Sequence, residues 1–121
     1  MNAAHYRYVV SMGEGVVTVT LWGEIDYAAT LELAPVVDEI VQNSTSDLLF
    51  DLENVTLIDS EGIKMLLAVF QRLRVQRRNG EVVRRSKQVD RIIALAGVHE
   101  LFVGHGGATQ HPAERAFWRL G

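Results

Sequence analysis

The feature that most constrains the fold is a change of hydrophobic period within one short stretch. "DLLFDL" (47–52) is an apolar run of strand length. Such a run, too short for a helix and without polar alternation, predicts a buried central strand. Ten residues on, Ile63, Leu66, Leu67, Phe70 and Leu73 recur at i, i+3, i+4, i+7 spacing, the pattern of an amphipathic helix with one core-facing stripe. Between them the apolar run of "LIDSEGI" (57–63) is interrupted by two acids around one serine and resumes at once in the helical period.

The flanking segments extend this alternation. Residues 6–11 ("YRYVVS") and 15–22 ("GVVTVTLW") are rich in Val, Thr and aromatics, and "MGEG" between them carries the glycines of a hairpin loop. Over 27–42 the period becomes helical, with Tyr27, Leu31, Ala34, Val37 and Val41 on one face. Pro35 lacks a backbone donor and crowds the preceding turn, so the regular helix is expected to begin close to it. The 63–77 helix is expected to end on Arg77-Arg78, with a left-handed stop at Asn79-Gly80. "EVV" (81–83) predicts a brief strand, 88–96 a helix capped by Gly97, and "ELFV" (100–103) a last strand. Residues 104–121 predict a loop and a terminal helix or tail. The order ββαβαβαβ(α) implies an α/β domain whose mixed, mostly parallel sheet of four to five strands carries helices packed on it.

A length of 121 residues suits one domain spanning 1–121, with a core over about 6–103, and 48% hydrophobic residues supply a core without staples. The absence of cysteine excludes disulfides, thiolate metal sites and cysteine nucleophiles. No basic patch followed by an apolar run opens the chain, and no apolar run reaches the ~18–20 residues that span a bilayer. The expectation is a cytoplasmic protein without membrane insertion. His5, His99, His105 and His111 show no metal-ligand spacing, and no nucleotide fingerprint or phosphate loop occurs, so neither metal nor cofactor is expected.

Charge is uneven. Residues 1–61 hold 11 acids and one base, Arg7; residues 62–121 hold 4 acids and 11 bases, eight of them from Arg72 to Arg91. A solvated helix end and loop is the plain explanation of that basic run, and a docking surface for an acidic partner the alternative. Nucleic acid is not the expected partner, because the whole chain carries a net charge of −3 and no aromatics interleave with the arginines.

The acid–serine–acid stretch has a structural explanation from physics alone. Asp59 and Ser60 are favoured helix N-caps, whose side-chain oxygens accept orphan N–H groups for about 1 kcal/mol each. Glu61 suits the helix dipole in the first turn. The same helix mouth also suits a phosphate.

Three blocks resemble the STAS domain family, and within it the bacterial anti-sigma factor antagonists (anti-anti-sigma factors). "GEIDYAAT" (23–30) is similar to the family's G-E-[LI]-D block. "LLFDLENVTLIDSEGI" (48–63) is similar to its D-L-x-x-V-x-x-[IM]-D-S-[ST]-G-[LI] block. "NGEVVRRSKQVDRIIALAGVHELF" (79–102) is similar to its glycine–strand–helix block. The resemblance implies a partner-switching module rather than an enzyme. Unphosphorylated, it would bind an anti-sigma factor that is also a serine kinase of the histidine-kinase-like ATPase type, and so release a sigma factor. Phosphorylation of Ser60 would end binding, and a serine phosphatase would reset the switch. The implied partner-binding residues are Asp26, Asp59, Ser60, Glu61, Gly62 and Lys64. Glu61 stands where the family has Ser or Thr, Lys64 replaces a second glycine, and the segment from Gly80 to Gly97 is about two residues short, which cuts into the 81–83 strand. An unphosphorylated STAS scaffold, as a subunit of a transporter or stress-sensing complex, is the alternative. In that case Ser60 would serve only as a helix cap.

Overall fold

A computed structural model describes residues 5–97. Two antiparallel strands, β1 (Tyr6–Gly13) and β2 (Val16–Ile25), lead into α1 (Tyr27–Asn43). Then follow β3 (Asp47–Ile58), α2 (Ser60–Val75), β4 (Gly80–Arg85) and α3 (Lys87–Ala96). The sheet order is β1-β2-β3-β4, with β2, β3 and β4 parallel. The α/β class and the mixed sheet are as expected. The fifth strand at 100–103 and the terminal helix lie outside the described residues.

The hairpin is a two-residue turn. Glu14 and Gly15 both have positive φ (55° and 78°), as a I′-type connection requires, because its twist matches that of the strands. Both β2–α1–β3 and β3–α2–β4 step the same way across the sheet. Right-handed crossovers therefore put α1 and α2 side by side on one face. Phe50 of β3 meets Phe70 of α2 edge to face, ring centroids 5.9 Å apart. Around them Val19, Leu33, Val37, Leu48, Leu52 and Leu66 are fully buried. α3 adds Val89 and Ile93 to the same core, and its capping Ser86 also donates its hydroxyl to the Val55 carbonyl at 2.6 Å.

Several boundaries differ from expectation. α1 begins at Tyr27, eight residues before Pro35, and continues through it. Pro35 cannot donate to the Leu31 carbonyl, but it is exposed, and burial of Leu33, Val37 and Val41 on the opposite side holds the helix regardless. The buried stripe is Ala29, Leu33, Val37 and Val41, so Tyr27 and Leu31, predicted on the core face, instead stand 57% and 59% exposed. β3 runs on to Ile58, six residues beyond the predicted strand, because Asn54 to Ile58 continue to pair with β2 across two register shifts. β4 spans six residues rather than three, absorbing a register shift between its partners Phe50 and Asp51. The shortened segment from Gly80 to Gly97 thus keeps a full strand, while Gly97 caps α3 in the left-handed conformation as expected.

α2 ends at Val75 with the left-handed residue at Arg77 (φ 61°), not at Asn79-Gly80. Arg78 N donates to Leu73 O at 2.8 Å and Arg77 N to Arg74 O at 2.9 Å, the two bonds of a Schellman stop. Arg78 then does structural work. Its guanidinium donates to Ser46 O (2.9 and 3.0 Å) and to Val41 O (2.9 Å), satisfying a carbonyl in the last turn of α1. A Cβ at left-handed φ costs about 1 kcal/mol relative to glycine. Arg77→Gly is accordingly expected to raise stability by about 0.5–1 kcal/mol, read as a higher urea midpoint at unchanged slope; a lower midpoint would mean that Arg77 makes a contact worth more than its strain.

Candidate functional site

The ends of β2 and β3 deliver two aspartates to adjacent helix starts. Asp26 follows β2 and caps α1, its Oδ1 accepting Ala29 N at 2.9 Å. Asp59 follows β3 and caps α2. Its Oδ1 accepts both Glu61 N and Gly62 N at 3.0 Å. Its other oxygen, Oδ2, accepts Tyr27 N at 3.1 Å, which is the first amide of α1. One carboxylate therefore serves the N-termini of two helices, each of which prefers negative charge there. The backbone is tied at the same place, since Asp59 N donates to Ile25 O at 3.3 Å.

Ser60 is the first residue of α2, not its cap. It is exposed, and its hydroxyl makes no hydrogen bond among the described residues. Asp59 alone does the capping, so the sequence-level choice between the two as cap is settled geometrically. Glu61 is half-buried and pairs with Lys64 at 3.5 Å on the surface of the first turn. Gly62 is buried beneath. A Cβ there would lie 2.8 Å from Ile25 O and 2.7 Å from Ile58 Cγ1, so a glycine is what lets α2 start against the end of β2. Asp26, Asp59, Ser60, Glu61 and Lys64 are thus gathered at one end of the domain, with Gly62 as the spacer under them.

Two features of this end escape the sequence. His5 Nε2 lies 2.9 Å from Asp26 Oδ2 and 4.0 Å from Glu24 Oε1. The three form an exposed group that no local spacing signals, because strand pairing joins residues 21 apart. The Ala29 amide and the His5 ring hold the Asp26 carboxyl below its ordinary value of 3.8. Gly23 belongs to the same arrangement. Its φ is +89°, and a Cβ would fall 2.2 Å from His5 O, the carbonyl that Glu24 N bonds. The second feature is an open groove of about 340 Å³ between α1 and α2, leading away from Ser60. Leu31, Ala34, Met65 and Ala68 give it an apolar floor, and Glu61 and Lys64 stand on it. The Arg72–Asp38 ion pair bridges the two helices across this groove.

The basic run is partly consumed by the fold. Arg72 pairs with Asp38, Arg84 with the buried Asp51 and with Glu53, and Arg85 with Asp90, while Arg78 binds carbonyls. That fits the solvated-face explanation better than a docking surface.

The profile of the STAS domain matches residues 9–113. The chain belongs to the STAS domain family. Among solved structures it is similar to an anti-sigma factor antagonist from Mycobacterium paratuberculosis, at 28% identity and TM-score 0.70, over 80% of this chain and 82% of that one. It also shares its fold with the anti-sigma factor antagonist SpoIIAA in its unphosphorylated form (16% identity, TM-score 0.71, 80% and 86% covered). The phosphorylated form of SpoIIAA, the Bacillus cell fate determinant, gives 16% identity, TM-score 0.66, and 95% and 100% covered. Comparison with curated protein sequences finds no match. Within the family, the likeness is to the anti-sigma factor antagonist type.

The double cap makes a specific stability prediction. Losing one N-cap costs about 0.5–2 kcal/mol. Asp59→Ala removes acceptors for two helices and is expected to cost about 2–3 kcal/mol in chemical denaturation, whereas Ser60→Ala is expected to change stability by less than about 0.5 kcal/mol. Equal losses for the two variants would show that Ser60 shares the capping after all.

Proposed function

We propose that this protein is an anti-sigma factor antagonist that acts in the cytoplasm by partner switching. In the unphosphorylated state it docks an anti-sigma factor on the α1–α2 end and so frees a sigma factor. The anti-sigma factor is a serine kinase of the histidine-kinase-like ATPase type, and it phosphorylates Ser60. A serine phosphatase restores the binding form. The observation that carries this assignment is the exposed, unbonded hydroxyl of Ser60 at the first position of α2. A serine kept only as a cap would have its oxygen on a backbone amide, and Asp59 already occupies that role. Two features support a docking face here: Tyr27 and Leu31 are more than half exposed, and the groove that Leu31 lines has an apolar floor.

Phosphate at Ser60 brings roughly −1.5 to −2 charges at neutral pH. The domain tolerates them, since the charge sits at a helix mouth whose dipole favours anions. Lys64, four residues on and so one turn away on the same side, is placed to turn from Glu61 to the phosphate. The partner does not tolerate the charge. Asp26, Asp59 and Glu61 already make the surface acidic, and the phosphate fills the space of the docked protein. At a desolvated contact about 2.7 kcal/mol is a hundredfold in affinity.

The test is direct. Each histidine-kinase-like ATPase of the host is incubated with the protein and ATP, and phosphate is located by mass spectrometry. One of them is expected to modify Ser60, to bind the unmodified protein, and to bind the Ser60 phosphoform at least a hundredfold more weakly. Binding without phosphate on any residue would leave an unphosphorylated scaffold in place of a switch, and phosphate on Thr56 alone would overturn Ser60 as the switch residue.

A further inference from the structure

We propose that the free edge of β1, together with the groove between β1 and α1, docks an extended basic segment of a partner protein, which adds to the sheet as a further strand. β1 pairs with β2 alone among the described residues. Its eight residues, about 26 Å long, leave every second backbone amide and carbonyl of the outer edge without a strand partner. Protected edges carry proline, lysine or a bulge, and β1 has none of these. Its one charge, Arg7, is turned onto the ring of Trp22 at 4.3 Å. Instead the strand exposes Val9 (48%) and Met12 (73%), with Tyr8 and Val10 beside them. On the helix side of the sheet, Val10 and Met12 join Val36 and Ile40 of α1 in an open, mostly apolar groove of about 290 Å³. Side chains at alternate positions of an added strand would fill it.

Charge decides the occupant. The groove wall carries Glu39, Glu14 stands at the hairpin turn, and Glu32 holds Tyr6 Oη at 2.8 Å, next to the start of β1. Glu14 and Glu39 have no ion-pair partner among the described residues. A second copy paired through β1 about a two-fold axis would bring the hairpin end of one chain to the Tyr6 end of the other, acids facing acids. Head-to-tail stacking on the β4 edge would need bases there, and Arg84 and Arg85 are already paired within the chain. Lysines or arginines alternating with apolar residues satisfy both edge and groove, their stems covering Ile40 and their heads reaching Glu39.

This site lies away from Ser60. β2 and β3 end at the Ser60 side, whereas β1 runs the opposite way, and both Met12 and the C-terminal half of α1 lie at the far end of the sheet. A partner held there stays bound whichever state Ser60 is in.

The acetylated, amidated heptapeptides KVKVKVK and EVEVEVE are titrated into the isotope-labelled full chain and followed by amide NMR and hydrogen exchange. The basic peptide is expected to shift β1 and the second half of α1, to slow exchange of β1 amides that do not face β2, and to weaken at least threefold between 50 and 300 mM salt. Glu39→Lys and Met12→Lys, both at exposed positions, are each expected to raise its Kd about tenfold while the free proteins keep their spectra. Equal binding of the acidic peptide, binding of neither, shifts centred on Ser60, or self-association through β1 without peptide would each overturn the proposal.

Discussion

The carboxylate of Asp59 divides its two oxygens between two helices. Oδ1 holds the first turn of α2 and Oδ2 the first amide of α1. Because Asp59 directly follows β3, and β3 ends alongside β2, the sheet sets where both helices begin. Gly62 lets the first turn of α2 come within contact of Ile25 O, which a larger residue would prevent. The remainder of the α1–α2 layer follows from that start: the groove, the exposed Tyr27 and Leu31, and the bridging pair of Asp38 and Arg72. That surface pair is worth little itself, about 0–1 kcal/mol. The helices keep their angle because they are anchored at one end by Asp59 and at the other by Arg78.

A division of labour between neighbouring residues follows. Capping falls to Asp59, close approach to Gly62 and the dipole-complementing charge to Glu61, so Ser60 is left with no structural task that a hydroxyl is needed for. Under the proposed switch, a side chain freed in this way would gain and lose a phosphate without cost to the fold, and the acids around it would make the added charge felt by a neighbour rather than by the domain itself. Family membership fits such an arrangement, and the similarity to anti-sigma factor antagonists gives it a biological setting.

Much of the fold was legible because strong periodic signals coincide with burial. The run Leu48 to Leu52 is buried at every position, and Ile63, Leu66, Phe70 and Leu73 face the core as their spacing requires. What was misplaced lies where tertiary contacts override local preference. Pro35 sits inside a helix because Leu33 and Val37 are buried on the other side. The second half of β3 lay beyond the predicted strand, since Glu53, Asn54, Thr56 and Leu57 are exposed and only pairing with β2 makes them a strand. Tyr27 and Leu31 fit a helical stripe in spacing but fall on the wrong face, and their exposure is itself the surface clue that spacing could not give. The residues around Ser60 were legible from the motif and the capping chemistry. The Asp26–His5 contact and the second acceptor role of Asp59 were not, because each joins segments more than 20 residues apart.

The central claim is that a phosphate on Ser60 is borne by the domain and felt only at its surface. Phosphoserine incorporated at position 60 during synthesis isolates that claim from any kinase. Amide spectra and thermal unfolding of this form and the unmodified chain are to be compared. Shifts confined to the first turns of α1 and α2, with Tm unchanged within about 2 °C, are the predicted result. Shifts spread through the sheet, or a Tm lowered by 10 °C or more, would contradict it.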